Sequence, residues 1–545
     1  MKALVSAIAL FAICVSPISA QAQVHYAWMS PIPENSGAFG IAVSGAGDAN
    51  IDGYADLVVG ACYEDGGATD AGRAYILSGQ TGALLHVLMS PNPEIDGWFG
   101  ASVSDVGDVD GDGRGDVVVG ADSEDGGAVG AGRAYVFSGQ TGGPIHTLLS
   151  PNPQLAGHFG WSVSGAGDVN GDGFPDVIVG AHCEDGGETQ SGAAYIFSGH
   201  TGGPHCTLLS PYPEAYGSFG ISVSDAGDVN GDGYADLVVG AAYEDGGASG
   251  AGRAYVFSGE TMDTLYTLES PKPELNGYFG ISVSGAGDVN GDGFADVVIG
   301  TYSEDGGAAD AGRVYVFSGQ TGDTLYSLES PNPELAGQFG LSVSGAGDVN
   351  GDGFADVVVG ACWEDGGAGE AGKAYVFNGR TGDHLYTLLS PNPEYDGFFG
   401  YAVSGAGDVN ADGWENVIVG AYNEDAELLD DGRAYVFVVP PPMILIPGGL
   451  IAGQFVLEWT PCAGAAGYWV YGAENETFFE PELTAPWTHR QAVIPPPTTI
   501  WTTGNGVADP EHNWTYLVVA VNAYEQELLR SNRVGEFDYG WGPGP

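Results

Sequence analysis

Asp168-Val169-Asn170-Gly171-Asp172-Gly173-Phe174-Pro175-Asp176, followed at once by Val177-Ile178-Val179-Gly180, is the stretch from which the rest of the chain can be read. Its frame, D-x-N-x-D-G-x-x-D, begins again at Asp48, Asp108, Asp228, Asp288, Asp348 and Asp408, each sixty residues after the one before. Seven copies at a fixed period without insertion mean a repeat architecture, and every other segment has to fit that repeat.

The residue types suit a hard divalent cation, which takes six to eight oxygens at about 2.3–2.6 Å. Side chains at loop positions 1, 3, 5 and 9, with the carbonyl at position 7, can surround one Ca²⁺, and the glycine at position 6 permits the sharp turn. The expected ligands are Asp48, Asn50, Asp52, Tyr54 and Asp56 in the first copy, and Asp108, Asp110, Asp112, Arg114 and Asp116 in the second. They continue as Asp168, Asn170, Asp172, Phe174 and Asp176, then Asp228, Asn230, Asp232, Tyr234 and Asp236, then Asp288, Asn290, Asp292, Phe294 and Asp296. The sixth set is Asp348, Asn350, Asp352, Phe354 and Asp356. The seventh is expected to be weaker, with Asp408, Asn410, Asp412 and Trp414, because Asn416 stands where the others have the final Asp and Ala411 replaces a Gly. Without a cation the converging carboxylates would repel one another, which argues against a merely solvated turn. An EF-hand is excluded because position 12 is Val59 or its equivalent, inside a strand-like run, rather than a bidentate Glu between helices. A dockerin would follow the loop with a helix, and glycine-rich nonapeptide β-helices have a far shorter period.

The chain has 545 residues, 71 acidic and 13 basic, for a formal charge of −58. That balance argues against nucleic acid and anionic membranes as partners and for cations. Seven divalent ions would offset only part of it, so a solvated acidic surface accounts for the remainder. Residues 1–22 read as a secretory signal peptide, with Lys2 as the positive region, an apolar run Ala3 to Val15, and Ala20-Gln21-Ala22 before the cleavage point. Ile13 before Cys14 spoils a lipoprotein signal, and no later stretch is apolar enough to span a membrane. A secreted or periplasmic location follows. The remaining cysteines, Cys62, Cys183, Cys206, Cys362 and Cys462, are odd in number. Cys183 and Cys206 fall in one repeat and could bridge, whereas Cys62 and Cys362 lie five repeats apart and are expected to be far from each other.

Each repeat contains four strand-like runs, which in the second copy are Phe99 to Ser104, Asp116 to Ala121, Arg133 to Ser138 and Ile145 to Ser150. The first alternates apolar and small residues, as a half-buried strand does. The second is continuous Val-Val-Val, as in a strand covered on both faces. Gly139-Gln140-Thr141-Gly142 turns the third into the fourth. Four antiparallel strands repeated seven times give an all-β, seven-bladed β-propeller. An unmatched strand, His25 to Ser30, precedes the first repeat, and the seventh ends after its third strand, Arg433 to Val438. The first therefore completes the last blade and hides a sheet edge. Strand order places the aspartate loops and the Gly-Gln-Thr-Gly turns on one face. The Glu-Asp-Gly-Gly and Ser-Pro-Asn-Pro-Glu loops then lie on the other.

Phe39-Gly40, the aspartate frame, Val59-Gly60-Ala61 and the sixty-residue period over residues 25–438 resemble the FG-GAP repeats of the integrin α-subunit propeller. That resemblance implies a seven-bladed wheel with calcium on its lower face and partner binding on its upper face. Two features depart from it: the Pro of Gly-Ala-Pro is absent from every copy, and six or seven loops are competent here where integrin propellers usually carry calcium in only some blades. At an extracellular-type Kd near 0.1 mM and millimolar calcium, each good loop would add about 1.4 kcal/mol, and six or seven together on the order of 8–10 kcal/mol. Calcium is accordingly expected to be structural.

Arg114-Gly115-Asp116 spells an adhesive tripeptide, but two of its residues are expected loop ligands and the backbone is not free to present it. Arg73, Arg133, Arg253, Arg313, Lys373 and Arg433 share one position, with Ala193 in the third copy, and are expected to pair with the preceding Glu or Asp. Positions that vary between copies are Ala38, Trp98, His158, Ser218, Tyr278, Gln338 and Phe398, and Tyr63, Ser123, Cys183, Tyr243, Ser303, Trp363 and Asn423. Their aromatic members are expected to pack between blades, with stacking on a sugar or a protein partner as the other use.

Residues 23–439 are thus read as the propeller and 440–447 as a Pro-rich linker. Residues 448–537 resemble a fibronectin type III module through Phe455 to Trp459, Gly467 to Tyr471 and Trp514 to Val521, with 538–545 as a flexible tail. The functional expectation is a calcium-stabilised adhesion or interaction module for an extracellular protein or glycan. The rival is a polysaccharide lyase or hydrolase. An enzyme needs a non-repeated set of acid, base or nucleophile, and the scattered histidines, without H-E-x-x-H or G-x-S-x-G, spell none.

Overall fold

The computed structural model describes residues 22–438 in full and, between 445 and 535, the backbone of several strands. The leader and the C-terminal tail read from the sequence lie outside the described residues. Residues 21–439 form one compact unit and the C-terminal strands belong to another. Among the described residues no helix is long and apolar enough to cross a membrane.

The first unit is a seven-bladed β-propeller of four-stranded antiparallel sheets. In the first blade Phe39–Gly45, Leu57–Ala61, Arg73–Leu77 and Leu84–Leu88 pair in chain order, and the next five blades repeat the pattern. The seventh is built from Ala402–Gly407, Asn416–Ala421, Arg433–Val438 and, as its fourth strand, Gln23–Met29. Met29 lies opposite Arg433 and Gln23 opposite Val438, so the ring is closed by the strand that precedes the first repeat.

The core lies between blades. In the second blade Val117, Val118 and Val119 are fully buried. Val117 and Val119 pack with Val58, Ala74 and Ile76 of the blade before, and Val118 packs with Phe159, Val177 and Val179 of the blade after. A strand sandwiched on both sides has no polar face, which is why this run is continuously apolar. The first strands of successive blades pack on one another around the axis.

The first strand of the second blade begins at Ser102 and runs to Gly107, three residues later than its alternating pattern predicts at both ends. Phe99-Gly100 is diverted to join two blades. The Phe99 amide donates to the Ala71 carbonyl at 2.9 Å, and Phe99 bridges Gly72 of the neighbouring blade in parallel. Gly100 has φ +91°, and a Cβ there would lie 2.2 Å from the Arg73 carbonyl oxygen. The phenylalanine fills the gap between blades, and the glycine lets the backbones touch.

In the second unit Leu445–Ile451, Gln454–Trp459 and Ile500–Thr502 form one sheet. Arg490–Ile494, Gly467–Glu474, Trp514–Val521 and Glu527–Arg530 form the path of another, with Val534–Gly535 also paired to Trp514–Val521.

Substituting Gly100→Ala combines a backbone clash with a left-handed φ and should destabilise the propeller by about 2–4 kcal/mol. The effect is read as a fall in the urea midpoint, and an unchanged midpoint would mean that this contact does not hold the blades together.

Candidate functional site

The aspartate loops lie where strand order places them. In the second blade Asp108 Oδ1 accepts from the amides of Gly111 and Asp112 at 2.7 and 3.0 Å, and Oδ2 from Gly113 at 2.8 Å. Asp116 Oδ2 accepts from Val109, and its Oδ1 reaches the 3–4 turn to accept from Gly139 at 3.0 Å. The same bond to the turn recurs from Asp56, Asp176, Asp236, Asp296 and Asp356. Ligand oxygens of Asp108, Asp110 and Asp116 come within 4.8 Å of one another. In the other five full loops position 3 is Asn, and its Nδ2 donates to the position-9 carboxylate, for example Asn170 to Asp176 at 2.8 Å and Asn350 to Asp356 at 2.9 Å.

The position-9 carboxylates have no solvent exposure. Burial first, and the other loop aspartates in addition, push Asp56, Asp116 and Asp356 up to about 7, and Asp176, Asp236 and Asp296 up to about 6. A buried carboxylate among like charges needs a proton or a cation. This donor set, all oxygen on a tight turn, fits a hard divalent ion. In the seventh blade the Oδ1 of Asn416 still accepts from Val409 at 3.0 Å, but its Nδ2 is buried without a partner and the anionic charge is gone. Glu415 leans toward the sixth loop: a Cβ on Gly347 would meet its side chain, and Asp408 and Asp348 add to the burial that raises its carboxyl.

Neighbouring loops also interlock. The rings of Phe174, Tyr234, Phe294, Phe354 and Trp414 lie against Gly111, Gly171, Gly231, Gly291 and Gly351 of the preceding loop. The first loop has Ile51 at that place, and the residue that follows it in the ring is Arg114, which donates from Nη1 to the Ala49 carbonyl at 2.9 Å. Arg114 is thus held by the adjacent blade and Asp116 is buried, so the Arg-Gly-Asp tripeptide is not available to a partner.

On the opposite face the shared basic position forms a clamp. Arg133 Nη1 meets Glu124 Oε2 at 2.9 Å and Glu94 Oε1 at 2.8 Å, while Nη2 donates to the Asp125 carbonyl at 2.6 Å. Glu94 Oε2 accepts from the Asp125 amide at 2.7 Å. The pairing with the preceding Glu is as expected; the role of Glu94, in the loop that enters the blade, was not legible from local spacing. The third blade replaces both partners together. Ala193 stands for the arginine and Gln154 for the glutamate, and the Gln154 Oε1 keeps the bond from the Asp185 amide at 2.9 Å. An amide retains that acceptor and lacks the charge an arginine would neutralise. The basic residues are therefore structural and form no free cationic ring.

The variable positions surround the mouth of the ring on this face. Ala38, Trp98, His158, Ser218, Tyr278, Gln338 and Phe398 all take φ between 52° and 58°, where glycine is favoured, and none is glycine. The aromatic members pack between blades as expected: Tyr63 with Trp98 at 5.9 Å, Tyr243 with Tyr278 at 5.1 Å, and Trp363 with Phe398 at 5.5 Å. A second set at the mouth, which the sequence reading missed, packs on the first. Tyr302 stacks on Tyr278 and Tyr422 on Phe398. In the third blade the pair is His182 on His158, with Trp161 at 4.7 Å from His182. His158 Nδ1 donates to Asp122 Oδ2 at 2.9 Å. Burial, then His158, pushes His182 down to about 3, so it is neutral. The signal for this set was the variability at Cys62, Asp122, His182, Ala242, Tyr302, Cys362 and Tyr422 within an otherwise uniform repeat.

Cys62, Cys183, Cys206 and Cys362 are all free thiols, so the bridge considered for Cys183 and Cys206 is absent. Cys62 and Cys362 lie five repeats apart one way round the closed ring and two the other.

The class these features define is an FG-GAP repeat propeller. The FG-GAP repeat matches residues 39–77, 99–137, 159–197, 219–257, 279–317 and 339–377, which are the first six blades from first through third strand. The chain is similar to integrin alpha-5 of Xenopus laevis, 31% identical over 239 residues that make up 42% of this chain and 22% of the relative. It is also similar to human integrin alpha-IIb, 36% identical over 230 residues, 39% of this chain and 21% of the relative. The chain thus spans about a fifth of the length of the curated relatives it matches. The propeller is integrin α-like.

The clamp is tested by a double-mutant cycle. Arg133→Ala alone strands the buried Glu124 and should cost about 3 kcal/mol. Adding Glu94→Gln, the combination already present in the third blade, should recover on the order of 1 kcal/mol, and strictly additive urea midpoints would refute the coupling. Glu424 gives a pH test. Its Arg433 partner stands off at 3.9 Å, and burial pushes its carboxyl up to about 7. A folded-state pKa above the unfolded one favours the protonated native state, so this contribution is full below about pH 4.5 and lost as pH rises through about 7. Glu424→Gln in saturating calcium should flatten that decline, by roughly 2–3 kcal/mol between pH 4.5 and 8. A decline of unchanged size would place its origin elsewhere.

Proposed function

We propose that the chain is a secreted, calcium-stabilised propeller that binds an extracellular protein through its upper face. The observation that carries this reading is a set of apolar side chains repeated at one loop position. Ile95, Leu155, Leu275, Leu335 and Tyr395 are 71–75% exposed, on the loops that join fourth to first strands. Single exposed apolar residues are ordinary, but the same position exposed in five blades is a pattern. Each sits on a fixed backbone: the amide after Ile95 donates to the Thr69 carbonyl at 3.0 Å, and that after Leu275 to the Ser249 carbonyl at 2.9 Å. Rigid tips lose little entropy on docking.

The tips are mainly aliphatic, which favours a protein over a sugar. They are framed by Asp65, Asp125, Asp185, Asp245, Asp305, Asp365 and Asp425, in a chain of net charge −58. The partner this surface suits has an apolar centre rimmed by Lys and Arg. Resemblance to integrin α propellers, with partner binding on the upper face, supports the same direction.

On the lower face the reading assigns structural Ca²⁺ to the first six aspartate loops and a weaker ion to the seventh. The oxygen-only donor sets and the raised position-9 carboxylates support this. Residues 1–22 act as the export signal, and export supplies millimolar calcium. The C-terminal strands, in sheets of three and five, support a fibronectin type III-like module over 448–537, serving as a spacer or a second contact. This reading makes the chain a binder rather than a polysaccharide lyase or hydrolase.

Two measurements test it. Chelation with EDTA should lower the melting temperature steeply, and native mass spectrometry should count six or seven calcium ions; no shift and no bound metal would remove the structural role. An array of immobilised matrix proteins and glycans should retain the chain on protein spots in calcium, with retention lost in Leu275→Asp/Leu335→Asp at unchanged melting. Retention on glycan spots alone, or none, would overturn the proposed partner class.

A further inference from the structure

The rim repeats a packing motif that one blade fills with different chemistry. In the fifth and seventh blades the residue before Phe-Gly stacks on a residue that follows the second strand. Tyr278 and Tyr302 have ring centres 5.3 Å apart, and Phe398 and Tyr422 are 5.7 Å apart. The third blade holds two rings in the same arrangement at 5.6 Å, and both are imidazoles, His158 and His182. Metal–nitrogen bonds of about 2.1 Å to one tetrahedral ion put two imidazole centres about 5.3 Å apart. The two imidazole centres are thus within a few tenths of an ångström of that separation, with ring planes 25° apart.

Three further observations point the same way. His158 Nδ1 is engaged by Asp122 Oδ2 at 2.9 Å, which leaves Nε2 as its ligating nitrogen and is the carboxylate–histidine arrangement that orients metal-bound imidazoles. Asp122 is itself fully buried, and its other oxygen has no partner. The Nδ1 of His182 is likewise buried without a partner. Trp161 packs against His182 and covers the pair with an apolar ring, 42% exposed at the mouth. Among the described residues this is the one pair of histidines with rings in contact.

We propose that His158 and His182 form a site for a borderline divalent transition metal of the Zn²⁺, Ni²⁺ or Cu²⁺ class, with Asp122 as the positioning residue for His158. The site is separate from the oxygen-lined loops of the opposite face. Imidazole donors select against calcium and oxygen donors select for it, so one chain would sort two kinds of ion between its two faces. The remaining coordination positions are left for water or for a donor brought by whatever docks at the mouth.

The experiment uses the full mature chain in millimolar calcium, which occupies the carboxylate loops. It is titrated with Zn²⁺ by calorimetry and with Co²⁺ by absorption. One equivalent should bind ahead of any weaker sites, with d–d bands of low-symmetry Co²⁺. His158→Asn and His182→Asn should each weaken it at least tenfold, at unchanged calcium-dependent melting. Asp122→Asn should weaken it ten- to hundredfold while leaving the Co²⁺ bands recoverable at high metal, which mere loss of packing would not do. Cu²⁺ should quench fluorescence in the native chain and do so less in Trp161→Phe. Absence of a stoichiometric Zn²⁺ equivalent in the native chain, or its persistence unweakened in the double histidine variant, would overturn the site.

Discussion

Adjacent blades meet backbone to backbone. A Cβ at Gly60 would lie 2.0 Å from the Gly100 carbonyl oxygen, and one at Gly72 would lie 1.9 Å from that of Phe99. The wheel depends on this closeness. It brings Phe99 into the gap between two sheets, where it packs with Tyr135 and Phe137, and it sets the Val-Val-Val strand between two apolar neighbours. It also sets the reach of the loops. The 4–1 loop can bond backward to Thr69 and Ala71 and forward through Glu94 to Asp125 only because the two blades are in contact. On the underside the same proximity lays five of the position-7 rings on the glycine of the loop before each. Compactness at a few glycines thus propagates to both faces.

What was legible in the sequence was what repeats. Period, strand number, the alternation of apolar runs and the partnerless first strand lead to the architecture because each reflects a local demand: a turn needs Gly, a doubly covered strand needs Val. The aspartate frame was legible for the same reason, since position 9 is both loop residue and anchor of the turn to Gly139. Contacts that cross blades were hidden. Glu94 acts on Arg133, thirty-nine residues away, and no local pattern shows it. The start of the first strand was displaced because Phe99-Gly100 looks like strand but serves the neighbouring blade.

Departures from the repeat carry most of the individual character of the chain, and they come in compensated groups. Ala193 and Gln154 change together, and Ile51 coincides with a following Arg114 in place of an aromatic ring. Asn416 appears in the one blade whose fourth strand comes from elsewhere, so that no 3–4 turn calls for its charge. His158, His182 and Asp122 form another such group. Compensation of this kind separates a constrained change from a neutral one without reference to any other protein.

The closing strand has a consequence for how the molecule comes into being. Gln23–Met29 leaves the ribosome before any blade exists, yet its partner Arg433–Val438 is made some four hundred residues later. Vectorial synthesis lets the inner sheets assemble in order, but the last of them stays one strand short until Gln23–Met29 swings back to it. A strand made ahead of every blade is therefore the latest to find its place, and until then both its exposed edge and that of the unfinished sheet must be kept from other chains.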